Sequence, residues 1–195
     1  MGIHDDHGVN AIFVATAAVI LNGLAGSVLA GRGHRTVRYY PTMSYAIRPA
    51  TIADIPHIVS HREQMFRDMG IPAEFEDMAA ATDLWLRHAI PAHTYRGWMA
   101  TAPNGDIAGG SGLIVIPWPP GPITLDPRCG FVFNVYTHPA HRKRGIARQL
   151  MEVMHEWCRN EGIERVVLNA STFGKPLYDA MGYVVTDEPM MRFRV

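Results

Sequence analysis

Residues 130–137 (GFVFNVYT) are strongly apolar and lead through a basic loop, with Arg142, Lys143 and Arg144, to Gly145 and a long amphipathic stretch. This succession constrains the fold more than any other feature of the chain. The first segment has the pattern of a buried strand. Over 145–161, Ile146, Leu150, Val153, Met154 and Trp157 recur at helical spacing, and Gly162 supplies the stop. A second apolar strand, 163–170, follows. A helical crossover between two apolar strands argues for a mixed sheet with helices on both faces.

The rest of the pattern supplies the other elements. A short strand covers 45–49. Thr51 and Asp54 resemble a capping box ahead of an amphipathic helix over 52–69, closed by Gly70. A second helix spans 77–90, with Met78, Ala81, Leu84, Trp85 and His88 along one side. Segments 95–101 and 107–116 pair as a hairpin around the turn Pro103-Asn104-Gly105-Asp106. Residues 117–129, rich in proline, read as a loop. A short helix covers 176–181, and 183–185 with 190–195 close the sheet. The predicted order is β-α-α-β-β-β-α-β-α-β-β, an α/β domain over 44–195.

A helix that starts just after a strand and a basic loop is a natural anion site. Its first amides lack intrahelical acceptors, and its dipole favours negative charge. Gly145 allows close backbone approach, Ala147 leaves room over the first turn, and Arg142 and Arg144 add charge-assisted donors. These residues read as a pyrophosphate cradle.

The run Arg142-Lys143-Arg144-Gly145-Ile146-Ala147 resembles the (Gln/Arg)-x-x-Gly-x-(Gly/Ala) signature of the GNAT acetyltransferases. Leu177-Tyr178-Asp179-Ala180-Met181-Gly182-Tyr183 resembles that family's Leu-Tyr-x-x-x-Gly-(Phe/Tyr) closing motif, and the resemblance covers about 45–195. It implies a GNAT-like acyl-CoA N-acyltransferase fold, with a central mixed, mostly antiparallel sheet flanked by helices. It also implies acetyl-CoA as co-substrate, without a metal, and acetylation of a primary amine on a small molecule or a protein. The backbone of Val135, Tyr136 and Thr137, in a strand splayed in the family, would pair with the pantetheine arm. Amides of Arg142, Lys143, Arg144, Gly145, Ile146, Ala147 and Arg148 would hold the pyrophosphate. Tyr178 would protonate the departing thiolate. Where the family often has Asn and Ala before this tyrosine, Thr172 and Lys175 stand, and an Asn appears earlier, at Asn169. Asn169 and Lys175 are therefore the expected coenzyme contacts of that loop. A non-catalytic CoA-binding sensor and a transferase of larger acyl groups are the rival expectations.

Composition narrows the partners. Lys+Arg and Asp+Glu both number 18, so no net field points to nucleic acid. The two cysteines, Cys129 and Cys158, form no disulfide framework, which fits a cytoplasmic catalytic domain. Residues 1–43 are an apolar extension. Segment 9–31 is uncharged and would span roughly 33 Å as a helix, enough to cross a bilayer core of roughly 30 Å. With Arg32, Arg35 and Arg38 behind it, a membrane anchor would leave the remaining chain in the cytoplasm. A leader translated from a start upstream of Met43 and a soluble packing helix are the alternatives. A homodimer is also expected. His57 and His61 stand at a spacing that can chelate a metal, but no third ligand is evident. Glu63, Asp68, Glu74, Glu76 and Asp77 read as a solvated face, and Trp118 as a substrate rim or a plug on the sheet edge.

Overall fold

Period-two alternation decides which side of each strand faces which helix. A computed structural model describes residues 45–187, 190, 191 and 193. Its elements are β1 (Ala46–Pro49), α1 (Ile55–Asp68), α2 (Glu76–Ala89), β2 (Tyr95–Thr101), β3 (Ile107–Pro117), β4 (Arg128–Thr137), α3 (Ile146–Asn160), β5 (Val166–Leu168) and α4 (Lys175–Asp179). Five strands form one sheet in the order β1-β2-β3-β4-β5. All neighbours are antiparallel except β4 and β5, which are parallel and joined through α3. The mixed sheet flanked by helices is the expected fold.

Both faces of the sheet are covered. Trp98 and Ala100 of β2 pack with Leu113, Val132 and the α3 stripe Ile146, Leu150, Met151, Met154 and Cys158. Tyr95 and Met99, on the opposite face of the same strand, pack with Ile55 and Ile58 of α1 and Leu86 and Ala89 of α2. Burial on both faces explains why the central strands are apolar almost throughout.

Several boundaries differ from the sequence reading. A 3-10 turn (Ile52–Asp54) precedes α1, because Pro56 occupies an early position of that helix and lacks the N–H that an interior turn needs. The second helix turns a different stripe inward. Leu86 and Ala89 are its buried residues, whereas Leu84 and Trp85 are exposed. β5 has three residues rather than 163–170, and no strand occurs at 183–187. Val184 and Val185 carry a strand-like apolar pattern yet lie exposed. A pattern states only what a pleated face would accept; a strand also needs a hydrogen-bonded neighbour. Of the strand expected at 190–195, residues 190, 191 and 193 are in no strand, and the others lie outside the described residues. The extension 1–43, with segment 9–31, lies outside them too. Among the described residues no helix is long and apolar enough to cross a membrane.

Candidate functional site

A break in β4 creates the site. Gly110 pairs with Tyr136 and Gly112 with Phe133, so Asn134 and Val135 together stand opposite the single Ser111. Asn134 takes up the extra length with φ +52°, a left-handed conformation that Asn tolerates better than most residues. The parallel ladder to β5 ends at Val132 with Leu168. Beyond the bulge, the outer edge of Val135, Tyr136 and Thr137 therefore has no neighbouring strand among the described residues. The Thr137 Oγ1 and Ser111 Oγ atoms are buried without a hydrogen-bond partner.

The split leads to the start of α3. Gly145 caps that helix at φ +79°, a conformation that strains any residue with a Cβ, and Lys143 sits at φ +60°. The first α3 amide to meet an i−4 acceptor near this end belongs to Gln149, bonding Gly145 O at 3.1 Å. The amides of Ile146, Ala147 and Arg148 thus point out of the helix end. Ile146 itself is buried in the core cluster, so its contribution to a ligand is its backbone. Arg142 is occupied: its Nε donates to Thr137 O at 3.0 Å, another nitrogen pairs with Asp68, and the guanidinium lies over Tyr136. Arg144 donates to the Tyr45 hydroxyl at 3.2 Å, which also meets His141 Nδ1 at 3.0 Å. Both arginines therefore hold the loop in shape. Lys143 is exposed, and Arg148 spans to Glu152 at 3.8 Å.

Tyr178 comes from α4, where Gly174 is the N-cap and Pro176 stands second in the helix rather than first. Its ring is buried in the same cluster as Val132, Ile146 and Leu150, with Val135 packed against that cluster. Strand, helix start and tyrosine thus converge. Tyr183 meets Tyr178 edge to face at 5.7 Å. Burial pushes the Tyr178 phenol above its ordinary pKa, so it is protonated at neutral pH. Asn169 is exposed just beyond the end of β5, and the Lys175 amine is engaged by Asp179 at 2.7 Å.

On the other side of the bulge lies a cavity of about 320 Å³, walled by Arg62, Met78, Trp85, Tyr95, Phe133 and Asn134 among others. Arg62 Nη1 donates to Asn134 Oδ1 at 2.8 Å, which ties α1 to the bulge. Tyr95 reaches the same place because Gly112 has no side chain; a Cβ there would lie inside the Tyr95 ring. Burial, partly offset by the Asn134 hydrogen bond and by Arg62, pushes the Tyr95 phenol up to about 12. His61 is buried beside Gly110 and Tyr136, and burial with help from His57 and His138 pulls its imidazole down to about 4. Its helix neighbour His57 is exposed, so the two face different surroundings.

Sequence reasoning missed this wall. Met78, Ala81 and Trp85, which the sequence places along one side of the second helix, line the cavity. The signal for Arg62 was its place on the inward stripe Ile55, Ile58, Arg62, where a charge is out of pattern. Of the acidic residues read as a solvated face, Glu63 pairs with Arg67 and Asp68 with Arg142. Trp118, just past the end of β3 and far from the bulge, has its ring 5.6 Å from the Arg165 guanidinium.

Comparison with known proteins bears out the family and the fold. The model of the acetyltransferase (GNAT) family matches residues 60–183. Among solved structures, the chain is similar to a GCN5-related N-acetyltransferase from Ralstonia eutropha, with 34% identity and TM-score 0.68 over 77% of this chain and 99% of that one. It is also similar to a predicted acetyltransferase from Clostridium acetobutylicum, solved with acetyl-CoA, with 25% identity and TM-score 0.71 over 77% and 96%. An aminoglycoside N-acetyltransferase in complex with CoA shares the fold, at 19% identity and TM-score 0.63 over 78% and 95%. No curated protein matches the chain.

Proposed function

The chain belongs to the GNAT acetyltransferase family, whose general chemistry is acyl transfer from a coenzyme A thioester to an amine, and on that premise we propose that it acetylates a primary amine of a small molecule directly from acetyl-CoA. One observation carries this reading: the unpaired outer edge of Val135, Tyr136 and Thr137 runs from the Asn134 bulge to the Gly145 helix start. An extended pantetheine arm fits that edge as an added strand, and the unpaired Thr137 hydroxyl suits a polar ligand there. The pyrophosphate fits the amides of Ile146, Ala147 and Arg148. Arg142 and Arg144 shape that loop, and Lys143, exposed, is available to the phosphates. Lys175 and Asn169 supply the outer contacts of the coenzyme.

In the transfer, the amine nitrogen bonds to the acetyl carbon, the carbon–sulfur bond breaks, and the sulfur leaves as thiolate. The nitrogen gives up one proton and the sulfur takes one. Tyr178 donates the latter. Backbone N–H groups at the bulge stabilise the oxyanion that develops on the carbonyl. Among the described residues that wall the cavity none is a base at neutral pH, Arg62 being cationic and Tyr95 protonated, so the amine's proton leaves to water, and solvent returns a proton to Tyr178.

The test is incubation of the full chain with acetyl-CoA and a panel of primary amines, with free thiol followed by colour and products by mass. The reading requires one thiol per N-acetylated amine. Tight acetyl-CoA binding with no amine acetylated would replace it with a CoA-binding sensor.

A further inference from the structure

The cavity beyond the bulge holds a charge with no ion-pair partner among the described residues. Arg62 is half-buried on the inward face of α1, with Nη1 on Asn134 and its guanidinium 5.0 Å from the Phe66 ring. Among the described residues it forms no ion pair, as is also true of Arg96, Arg144, Arg159 and Arg165, but of these it alone lines the cavity. A guanidinium presents five N–H donors in a fork that matches a carboxylate, and Asn134 occupies only part of it. Desolvation already pulls its pKa below the ordinary value. The walls opposite are Trp85, Phe133, Met78 and Ile114, and no carboxylate lines the cavity among the described residues.

Resting on the acetyltransferase reading, we propose that the acceptor is an α-amino acid with a bulky apolar or aromatic side chain. Its carboxylate pairs with Arg62, and its side chain lies against Trp85 and Phe133. The spacing supports the α-amino position. Arg62 touches Asn134, and Asn134 is the bulge at which the acetyl group arrives, so carboxylate and amine must be close neighbours on the acceptor. A volume of about 320 Å³ suits a molecule of that size. A polycationic acceptor such as an aminoglycoside would place like charge beside Arg62 with no acid to receive it.

Turnover and binding separate this inference from the reading beneath it. In the full chain, kcat/KM for acetylation is compared between phenylalanine and phenethylamine, which differ only in the carboxylate. Calorimetry then compares N-acetylphenylalanine with N-acetylphenethylamine, which requires no catalysis. Both comparisons should favour the carboxylate by about 10-fold to 100-fold, the size of a charge-assisted hydrogen bond. Arg62→Gln, which removes the charge, should bring the ratio close to one. Equal affinity for the two products in the wild type would overturn the inference without any variant, as would a preference that survives Arg62→Gln or efficient acetylation of an aminoglycoside. Carboxylate-selective binding without acetylation of any amine would leave the Arg62 site standing and defeat the acetyltransferase reading instead.

Discussion

Tyr178 shows how one side chain serves packing and chemistry together. Its ring fills the cluster between α3 and β4, and Gly174 gives it room, since a Cβ there would come within 2.9 Å of the ring. Its burial also keeps the phenol protonated, which a donor to a departing thiolate requires. Tyr178→Phe retains the ring and removes only the proton. It should lower kcat by about 10²-fold with little change in acetyl-CoA affinity, read by steady-state kinetics and calorimetry on the folded variant. Full kcat would leave Tyr178 with packing alone. The sequence motif pointed to this residue, as it did to Gly145, because a tyrosine or glycine at a fixed offset from a helix end is a local feature. Arg62 offered only a charge out of pattern on the inward stripe of α1, and Tyr95 had no local signature. Their role depends on the Asn134 bulge and on the space at Gly112, both set by pairing between distant strands.

At the scale of elements, helices and central strands were legible because amphipathic period and apolar runs are local properties; β2 begins and ends where the pattern says. The ends of the sheet were not, because pairing is a property of two segments at once. β5 stops after three residues and so opens the split that the family resemblance implied. The clip between β1 and the turn ahead of α1 is local, and half of it was legible as the Thr51–Asp54 capping box. Arg48 reaches Asp54 with two bonds of 2.8 and 2.7 Å, and Asp54 also accepts from the Thr51 N–H at 2.7 Å. Arg48, opposed by burial and helped by Thr51, pulls the Asp54 carboxyl down to about 2. Its unfolded value is roughly 3.9, so the stabilisation is complete above about pH 4 and fades as pH falls toward about 2. Arg48 is half exposed, which reduces the contribution to about 1–2 kcal/mol. Asp54→Asn should lose that amount at pH 7, and the gap to wild type should shrink by about half at pH 3, read by urea unfolding. A gap independent of pH would remove the carboxylate from the clip.

For the whole molecule, one sheet separates two kinds of environment. The α3 face is a continuous apolar core, whereas the face under α1 and α2 carries the buried polar group of His61, Ser111, Tyr95 and Asn134. The bulge in β4 is where they meet, with the donor's strand edge on one flank and the acceptor's cavity on the other. That arrangement is tested most directly by following the backbone amides of the full chain by nuclear magnetic resonance as acetyl-CoA is added. The largest shifts should fall on Val135, Tyr136, Thr137, Ile146, Ala147 and Arg148, while the β1–β2 pair stays unchanged. Saturable binding that leaves those six amides unmoved, or moves others instead, would contradict the assignment of the split as the donor site.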